Sequence, residues 1–421
     1  MRFERLVGIL VATIAFQSVF SQFQTIEENW LLPEYNSFIN ADTIELVKPE
    51  GYSDFFTNRF LEKYDSILTN KNRQINIIHI GGSHIQAGVF SDRIREHLWQ
   101  QGDFSTARGF VFPFKIGKTN NPRSYTVSHR GEWQWERCVG RKNEVQLGMG
   151  GFAVYTSDPE AEITIRVDDN NGFDRIKVLG YVDDGSDWAV LPTVKLHSKR
   201  VVYPEYDYVD KGVYTLNLRE KHKEFKIYFQ QSDSVVHRFV LTGFLLENDD
   251  AGVVYHAIGV NGAAVPSYLK CERFEAELSE ICPDMVIFGI GINDAVVKDF
   301  STDTFKQNYN TLIETIRRVS PECLFVFITN NDSYRKIGRK RYAVNTNGLL
   351  VQEAMYQLAK ENGGLVFDQF QIMGGLRSMR EWSEAGLGKK DRIHFTEKGY
   401  NMLGDMFFKA FYDFYEKHKN R

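Results

Sequence analysis

Residues 75–84 have the sequence INIIHIGGSH, in which a short apolar run leads directly into two glycines and a serine. Short continuous apolar runs are typical of strands that are buried on both faces of a parallel sheet. Three further runs have this pattern: 253–258, 285–290 and 324–329. Helical patterns follow the runs, as at Phe90, Ile94 and Leu98, which share one helix face. Alternating strands and helices predict an α/β domain around a parallel sheet.

The pattern changes between residues 109 and 248, where polar and apolar residues alternate along short strands. These strands are expected at 163–167, 175–182, 214–218, 225–230 and 237–246. Clusters of Asp, Asn and Gly separate the strands, which is typical of turns in an all-β module such as a sandwich. The sequence therefore predicts an α/β domain formed by 71–108 and 249–421, interrupted by a β domain at 109–248. Residues 22–70 are expected to be a lead-in with one helix near 55–68.

The first residues have the pattern of a signal peptide. Arg2 and Arg5 precede an apolar run from Leu6 to Phe20, and the small Ser21 follows. This run is shorter than the roughly 20 apolar residues of a membrane-spanning helix. We therefore expect residues 1–21 to direct export, to a periplasm or the extracellular space.

Composition excludes several classes of protein and partner. With 51 Lys and Arg against 55 Asp and Glu, the formal charge is −4, so the chain lacks the basic excess that nucleic-acid binding needs. Its four cysteines, Cys138, Cys271, Cys282 and Cys323, are too few for a disulfide framework and fit no zinc spacing. An oxidising compartment would permit up to two bridges, and the pairing is left open. No metal is expected at the acidic turns 168–172 and 183–185, because their spacing does not match a calcium loop.

Ser83 stands where a nucleophile would be placed. The glycines before it permit a tight turn from strand to helix, and the helix start offers N–H groups to developing negative charge. The alternative is an ordinary turn.

Near the other end of the chain, Asp391-Arg392-Ile393-His394 precedes a predicted helix. An Asp three residues before a His can hold one ring nitrogen while the other accepts a proton, although such a pair can also be a helix cap and a surface residue.

Two glycine-rich loops follow other buried strands. In Gly289-Ile290-Gly291-Ile292-Asn293-Asp294, the amide of Asn293 can donate to an oxyanion. A nucleotide loop is the competing interpretation, but Asp294 stands where the third glycine of that fingerprint belongs. In Gly259-Val260-Asn261-Gly262-Ala263, the N–H of Gly262 can approach a ligand closely.

Together these four blocks resemble, in order, those of the SGNH hydrolases, also called the GDSL esterase family. The resemblance covers the α/β part and implies a three-layer α/β/α fold without metal or organic cofactor. It implies that Ser83 is the nucleophile, His394 the general base and Asp391 its orienting partner. It further implies an oxyanion hole formed by the N–H groups of Ser83 and Gly262 and by Asn293. The chain departs from the family at Gly82, where an Asp normally precedes the serine, which puts the local geometry and the rate in doubt.

The layout has a narrower resemblance to exported bacterial peptidoglycan O-acetylesterases, in which a β insert similar to a carbohydrate-binding module follows the serine block. This implies an esterase that removes O-acetyl groups from a polysaccharide, with peptidoglycan as first choice. Two alternatives stay open: an O-acyltransferase fed by a membrane partner, and a glycan-binding protein whose catalytic site has decayed. Trp133 and Trp135 are either platforms for sugar rings or part of the β-domain core. The sequence does not determine the oligomeric state.

Overall fold

The computed structural model describes residues 35, 37–169, 171–186, 188–196, 200–205, 212–232, 234–339 and 341–419. The predicted signal peptide and the part of the predicted lead-in before Tyr35 lie outside these residues. Within them, no helix is both long and apolar enough to cross a membrane.

The strands, in chain order, are β1 Leu46–Val47, β2 Gln74–Gly81, β3 Gly109–Val111, β4 Tyr125–Arg130, β5 Gln134–Arg137, β6 Phe152–Thr156, β7 Glu162–Val167, β8 Phe173–Val182, β9 Val190–Lys195, β10 Val201–Val202, β11 Val213–His222, β12 Glu224–Gln231, β13 Phe239–Glu247, β14 Gly252–Gly259, β15 Met285–Gly289, β16 Leu324–Ile328, β17 Tyr334–Gly338, β18 Arg341–Val344 and β19 Leu365–Phe367. The α-helices are α1 Phe55–Asn70, α2 Ser83–Gln86, α3 Val89–Gly102, α4 Val265–Tyr268, α5 Phe274–Leu278, α6 Thr302–Val319, α7 Asn347–Asn362, α8 Gln369–Ile372, α9 Ser378–Glu384 and α10 Glu397–His418.

A six-stranded sheet in the order β1-β19-β16-β15-β2-β14 forms the centre of the α/β part. All neighbours pair in parallel except β1, which lies antiparallel to β19 at the edge. The chain runs from β2 outward to β14 and then crosses to β15 on the other side of β2. The strand order therefore reverses at β2, and in such sheets ligands bind in the crevice at the carboxyl ends of the strands around this point.

Helices cover both faces of this sheet. On one face, Phe60 of α1, Ile94 of α3 and Phe407 of α10 belong to a core with the odd-numbered Ile75 and Ile77 of β2. On the other face, residues of α6 and α7 pack with Ile78 and Ile80. The predicted three-layer α/β/α architecture is thus confirmed. The four apolar runs all became strands of this sheet, whereas β1 and β19 are too short to give a recognisable pattern.

The antiparallel strands between β2 and β14 form two sheets, in the orders β10-β9-β12-β7-β4 and β11-β8-β13-β6-β5, with β3 added beside β13. The sheets face each other, because Phe225 of β12 packs edge-on against Phe173 of β8 and Phe244 of β13, with ring centroids 5.7 and 5.3 Å apart. The predicted inserted β sandwich is confirmed. The domain limits of 109–248 stay a prediction, although β3 to β13 run from Gly109 to Glu247.

Buried polar contacts join the sandwich to the α/β part. Glu277 of α5 accepts hydrogen bonds from the N–H of Met149, at 2.8 Å, and from Oγ1 of Thr242, at 2.5 Å. Buried Arg108 pairs with Asp92 of α3 and with Asp169 of the sandwich. One apolar core also runs through both parts. The two parts therefore behave as one packed unit.

The structure shows the state of the four cysteines and the surroundings of Trp133 and Trp135. All four cysteines are thiols, and Cys138 of the sandwich and Cys271, which follows α4, are both buried. Trp133 and Trp135 are partly buried against the apolar core, with the Trp133 ring centroid 5.5 Å from that of Phe229. Both tryptophans thus contribute to sandwich packing, and a role in sugar stacking stays a prediction.

Candidate active site

Ser83 is the first residue of α2, directly after the turn that ends β2. The turn needs glycine at position 81, because a Cβ there would lie 2.2 Å from Cγ1 of Ile85 and 2.9 Å from the carbonyl oxygen of Gly289. Because Ser83 is the first helical residue, its N–H has no acceptor within the helix. The tight turn thus places both its hydroxyl and its N–H at the carboxyl edge of the sheet.

Ser83, His394 and Asp391 form a continuous hydrogen-bonded chain. Oγ of Ser83 lies 2.7 Å from Nε2 of His394, and Nδ1 of His394 lies 2.8 Å from Oδ2 of Asp391. Oδ1 of Asp391 accepts hydrogen bonds from the N–H groups of Ile393, at 2.9 Å, and His394, at 3.0 Å. Partial burial raises the pKa of the Asp391 carboxyl, but the hydrogen bonds from the His394 ring and these two N–H groups outweigh it and hold the pKa well below its usual range. A carboxylate thus fixes the imidazole so that Nε2 faces the serine hydroxyl.

The loop that carries Asp391 and His394 is held in place by residues 331–334, which connect β16 to β17. Nδ2 of Asn331 donates to the carbonyl oxygen of Ile393 at 3.0 Å, and the N–H of Tyr334 donates to that of Arg392 at 3.1 Å. The helix after the loop, α10, is capped by Thr396, whose side chain accepts from the N–H of Gly399 at 3.2 Å. Asp391 is therefore not the helix cap that the alternative interpretation proposed.

The two predicted oxyanion loops lie next to each other. Nδ2 of Asn293 donates to the carbonyl oxygen of Ala263 at 2.9 Å, and its second amide proton can serve another acceptor. Gly262 has a φ of +83°, and a Cβ at this position would meet no heavy atom within 4 Å. Its backbone therefore borders open space. A Cβ on Gly82 would lie 3.4 Å from Nδ2 of Asn293, so both loops border the serine turn.

Asp294 strengthens the connection between these loops. Both of its carboxylate oxygens lie 3.2 Å from the N–H of Val265, from which they accept a hydrogen bond. Burial raises the pKa of the Asp294 carboxyl to about 7, although this hydrogen bond acts in the opposite direction. Asn293 and Asp294 thus join their loop to residues 263–265 directly. These bonds hold the loops together without the Asp that the family has at position 82.

His84 is a neighbour of the site to which sequence reasoning assigned no role, although it follows the serine directly. Its Nδ1 lies 2.8 Å from the hydroxyl of Tyr400, and its ring centroid lies 5.2 Å from that of His394. Burial, followed by the proximity of His394, lowers the pKa of His84 to about 3. A neutral imidazole therefore packs against the ring of His394.

A side-chain network connects the serine helix to the sandwich. Oε1 of Gln86 accepts from the N–H of Asn261 at 2.6 Å, and Nε2 of Gln86 donates to Oγ1 of Thr119 at 2.9 Å. Nδ2 of Asn261 in turn donates to Oδ1 of Asn120 at 2.6 Å. Thr119 and Asn120 lie at the start of the insert, far along the chain from both partners, and no local pattern distinguishes them from other loop residues. The insert therefore supports the loop that contains Gly262.

The predicted site residues thus assemble at one edge of the sheet. Ser83, His394 and Asp391 are directly hydrogen-bonded, and Gly262 and Asn293 lie on the two loops beside them. Their catalytic roles stay predictions. Among the described residues, no group of three or more His, Cys, Asp or Glu side chains could hold a metal ion.

A family model covers most of the residues of this site. Residues 240–402 match the model of the GDSL-like lipase/acylhydrolase family. This range contains Gly262, Asn293, Asp391 and His394 and leaves out Ser83, which the insert separates from it. The resemblance to the SGNH and GDSL hydrolases, and with it the expected enzyme class of carboxylic ester hydrolase, is confirmed. No match was found among curated protein sequences.

A solved structure shares the fold of most of the chain. This structure, of a peptidoglycan O-acetylesterase, superposes with a TM-score of 0.70 and 21% identity, over 85% of this chain and 96% of that chain. A lipase/acylhydrolase from Enterococcus faecalis aligns with 22% identity over 39% of this chain and 77% of that chain, with a TM-score of 0.30. The acetyl xylan esterase AlAXEase aligns with 19% identity over 38% of this chain and 81% of that chain, with a TM-score of 0.31.

Proposed function

We propose that this chain, which carries a GDSL-like lipase/acylhydrolase domain over residues 240–402, is an exported serine esterase that removes O-acetyl groups from peptidoglycan. The observation that carries the proposal is the hydrogen-bonded chain from Ser83 through His394 to Asp391. In this chain a hydroxyl, an imidazole and a carboxylate have the order that nucleophilic acyl transfer requires.

In the proposed reaction, Oγ of Ser83 attacks the carbonyl carbon of the acetyl ester while Nε2 of His394 takes the hydroxyl proton. The tetrahedral oxyanion is stabilised by the N–H groups of Ser83 and Gly262 and by the second amide proton of Asn293. The imidazolium then gives its proton to the sugar oxygen, which leaves, and an acetyl-serine forms. Water, deprotonated by His394, releases acetate and restores Ser83.

Two further observations favour a polysaccharide of the cell envelope as the substrate. The structure that superposes over 85% of this chain is described as a peptidoglycan O-acetylesterase. Residues 1–21 also have a signal-peptide pattern, which would bring the chain to the compartment where peptidoglycan lies.

The test is acetate release from purified O-acetylated peptidoglycan and from acetylated xylan, with the mature chain and two variants. Ser83→Ala removes the proposed nucleophile, and Ser128→Ala, at an exposed serine of β4, is the matched control. We expect the natural chain and Ser128→Ala to release acetate from peptidoglycan faster than from xylan, and Ser83→Ala to release none above background. Equal release by Ser83→Ala would refute the proposed nucleophile, and faster release from xylan would refute the proposed substrate.

A further inference from the structure

A basic hairpin stands beside the mouth of the candidate site. Strands β17 and β18 form a separate two-stranded sheet after β16, at the carboxyl edge of the parallel sheet. Residues 333–347 contain five basic residues and no acidic one, although the whole chain has a net charge of −4. The basic residues are Arg335, Lys336, Arg339, Lys340 and Arg341. A local charge of this sign in an acidic protein requires a physical reason.

Contacts on two sides place the hairpin between the loops of the candidate site. On one side, the N–H of Tyr334 donates to the carbonyl oxygen of Arg392 at 3.1 Å, in the loop of Asp391 and His394. On the other side, Nδ2 of Asn347, just after β18, donates to the carbonyl oxygens of Ala295 at 2.9 Å and Val297 at 3.0 Å, which follow Asn293. The hairpin is thus attached to the base loop and to the oxyanion loop.

The cations of the hairpin face solvent. Lys336, Arg339 and Arg341 are exposed, and none of the three has a carboxylate within ion-pair distance among the described residues. The neighbouring loop adds exposed Lys389 and Lys390, which likewise form no ion pair within the part of the chain that the structure describes. Such uncompensated charges repel one another and are stabilised when an anion binds.

The acidic groups nearby do not neutralise this patch. Asp391 is engaged by His394, Glu384 pairs with Arg380, and Asp332 is buried and accepts from the N–H of Met379. Glu381 of α9 is exposed and is the remaining carboxylate on that helix. The hairpin and the adjacent 389–392 loop therefore form a positive rim, which we name the basic rim and define as Lys336, Arg339, Arg341, Lys389 and Lys390.

The rim also offers an aromatic surface. Tyr342 pairs with Lys336 across the hairpin and is 44% exposed. An exposed tyrosine beside cations can pack against a sugar ring while the cations contact carboxylates on the same polymer. This combination fits a glycan that carries acidic substituents better than a neutral glycan.

We propose that the basic rim binds carboxylates of an anionic glycan strand, so that the enzyme selects acetyl esters on acidic polysaccharides. In peptidoglycan these carboxylates belong to the peptide stems. The inference rests on the proposed function of the site, because the rim is assigned to the same substrate. Ile337 is 53% exposed between the cations, and an apolar side chain in this position could insert into an anionic membrane surface. Binding to such a surface is tested as the competing outcome.

The experiment uses one glycan in two charge states. O-acetylated peptidoglycan fragments are compared with the same fragments after their carboxyl groups have been converted to amides with a carbodiimide and ammonia. The rim variant is Lys336→Gln/Arg339→Gln/Arg341→Gln. The matched control replaces three exposed lysines of the sandwich, Lys142→Gln/Lys195→Gln/Lys223→Gln, which lose the same charge. The readout is the ratio of kcat/KM for the acidic and the amidated substrate.

We expect the natural chain and the control variant to prefer the acidic substrate by about tenfold at low salt, because three exposed ion pairs contribute roughly twofold each. The preference should shrink at high ionic strength. The rim variant should treat both substrates alike. A preference that the rim variant retains, or a loss that is equal in the control variant, overturns the inference.

Binding separates this inference from the proposed chemistry. Ser83→Ala, with and without the rim substitutions, is sedimented with insoluble peptidoglycan and, separately, floated with phosphatidylglycerol vesicles. Rim-dependent sedimentation supports the inference even if the natural chain releases no acetate. Absence of acetate release by the natural chain would refute only the proposed esterase activity. Rim-dependent binding to vesicles combined with rim-independent binding to peptidoglycan would overturn the inference in favour of a membrane surface.

Discussion

Oγ of Ser83 lies 2.7 Å from Nε2 of His394, although 311 positions of the sequence separate the two residues. The contact forms because β2 ends at Gly81 next to the 391–394 loop, which Asn331 anchors from the segment after β16. The whole sandwich is inserted between the serine and the rest of the site without separating the hydroxyl from the imidazole. The arrangement of the hydroxyl and the imidazole therefore depends on the Asp391 carboxylate, the Asn331 amide and the turn at Gly81.

Asp391→Asn tests the orienting carboxylate. The amide of the variant can still accept a hydrogen bond from Nδ1, but it carries no charge to stabilise the imidazolium. We therefore expect kcat to fall by about 10³-fold or more. Hydrolysis of nitrophenyl acetate at neutral pH measures this loss. Asp303→Asn, at an exposed position in the first turn of α6, should leave kcat unchanged. A loss below about tenfold in Asp391→Asn would contradict the assigned role.

Asn293→Ala tests the oxyanion hole. Loss of one oxyanion donor raises the barrier by about 3 kcal/mol, so we expect kcat to fall by roughly two orders of magnitude with little change in KM. Asn58→Ala, at an exposed asparagine of α1, is the control. Steady-state kinetics with an activated acetate ester distinguish the two. A drop smaller than about threefold would remove Asn293 from the hole.

Gly81→Ala and Gly82→Ala should differ sharply in stability. A Cβ at position 81 would overlap Ile85 and the carbonyl oxygen of Gly289, whereas the nearest atom to a Cβ at position 82 is 3.4 Å away. We expect Gly81→Ala to lower the free energy of unfolding by about 3 kcal/mol and Gly82→Ala by about 1 kcal/mol or less. Urea denaturation measures both. Equal losses would show that the turn relaxes around position 81.

His84→Phe tests whether His84 positions His394. Phenylalanine keeps a planar ring but loses the hydrogen bond to Tyr400, so we expect kcat to fall about tenfold with KM unchanged. Because the pKa of His84 is lowered to about 3, the acid limb of the pH profile of kcat/KM should lie at the same pH in the variant and the natural chain. An acid limb that disappears in His84→Phe would show that His84 itself titrates in this range.

Glu277 should make stability fall as pH rises from about 4.5 to 6. Burial raises the pKa of its carboxyl from 4.5 to about 6, against hydrogen bonds from Thr242 and Met149. The folded state therefore holds the proton more tightly than the unfolded chain, and it loses about 2 kcal/mol of stability as the proton dissociates. Above about pH 7 the carboxyl is ionised in both the folded and the unfolded state, and this contribution is constant.

Urea unfolding at about pH 4.5, 5.5 and 6.5 measures this effect in the natural chain and in Glu277→Gln. The amide does not titrate, so the difference in free energy of unfolding between the two proteins should change by about 1.5 kcal/mol over this range. A difference that stays constant would mean that Glu277 has the same pKa in the folded and unfolded states.

Local sequence was sufficient to predict the parts of this protein that depend on short-range chemistry. Continuous apolar runs predicted the four longer parallel strands, because strands buried on both faces exclude polar side chains. Three of these strands lead into glycine-rich blocks, and the carboxyl ends of parallel strands meet at one edge of a sheet. Ser83, Gly262 and Asn293 could therefore be named as candidates from the residues alone, and the Asp391-to-His394 spacing added the base.

The tertiary structure decided what distant contacts produce. Strands as short as Leu365–Phe367 have no periodicity to detect, and they exist because a neighbouring strand pairs with them. Burial lowered the pKa of His84, and Thr119 came to support the loop of Gly262. The hairpin of β17 and β18 came to lie against the loop of Asp391 and His394. Burial, hydrogen bonding and charge all depend on which atoms are close in space, and sequence position alone does not determine that distance.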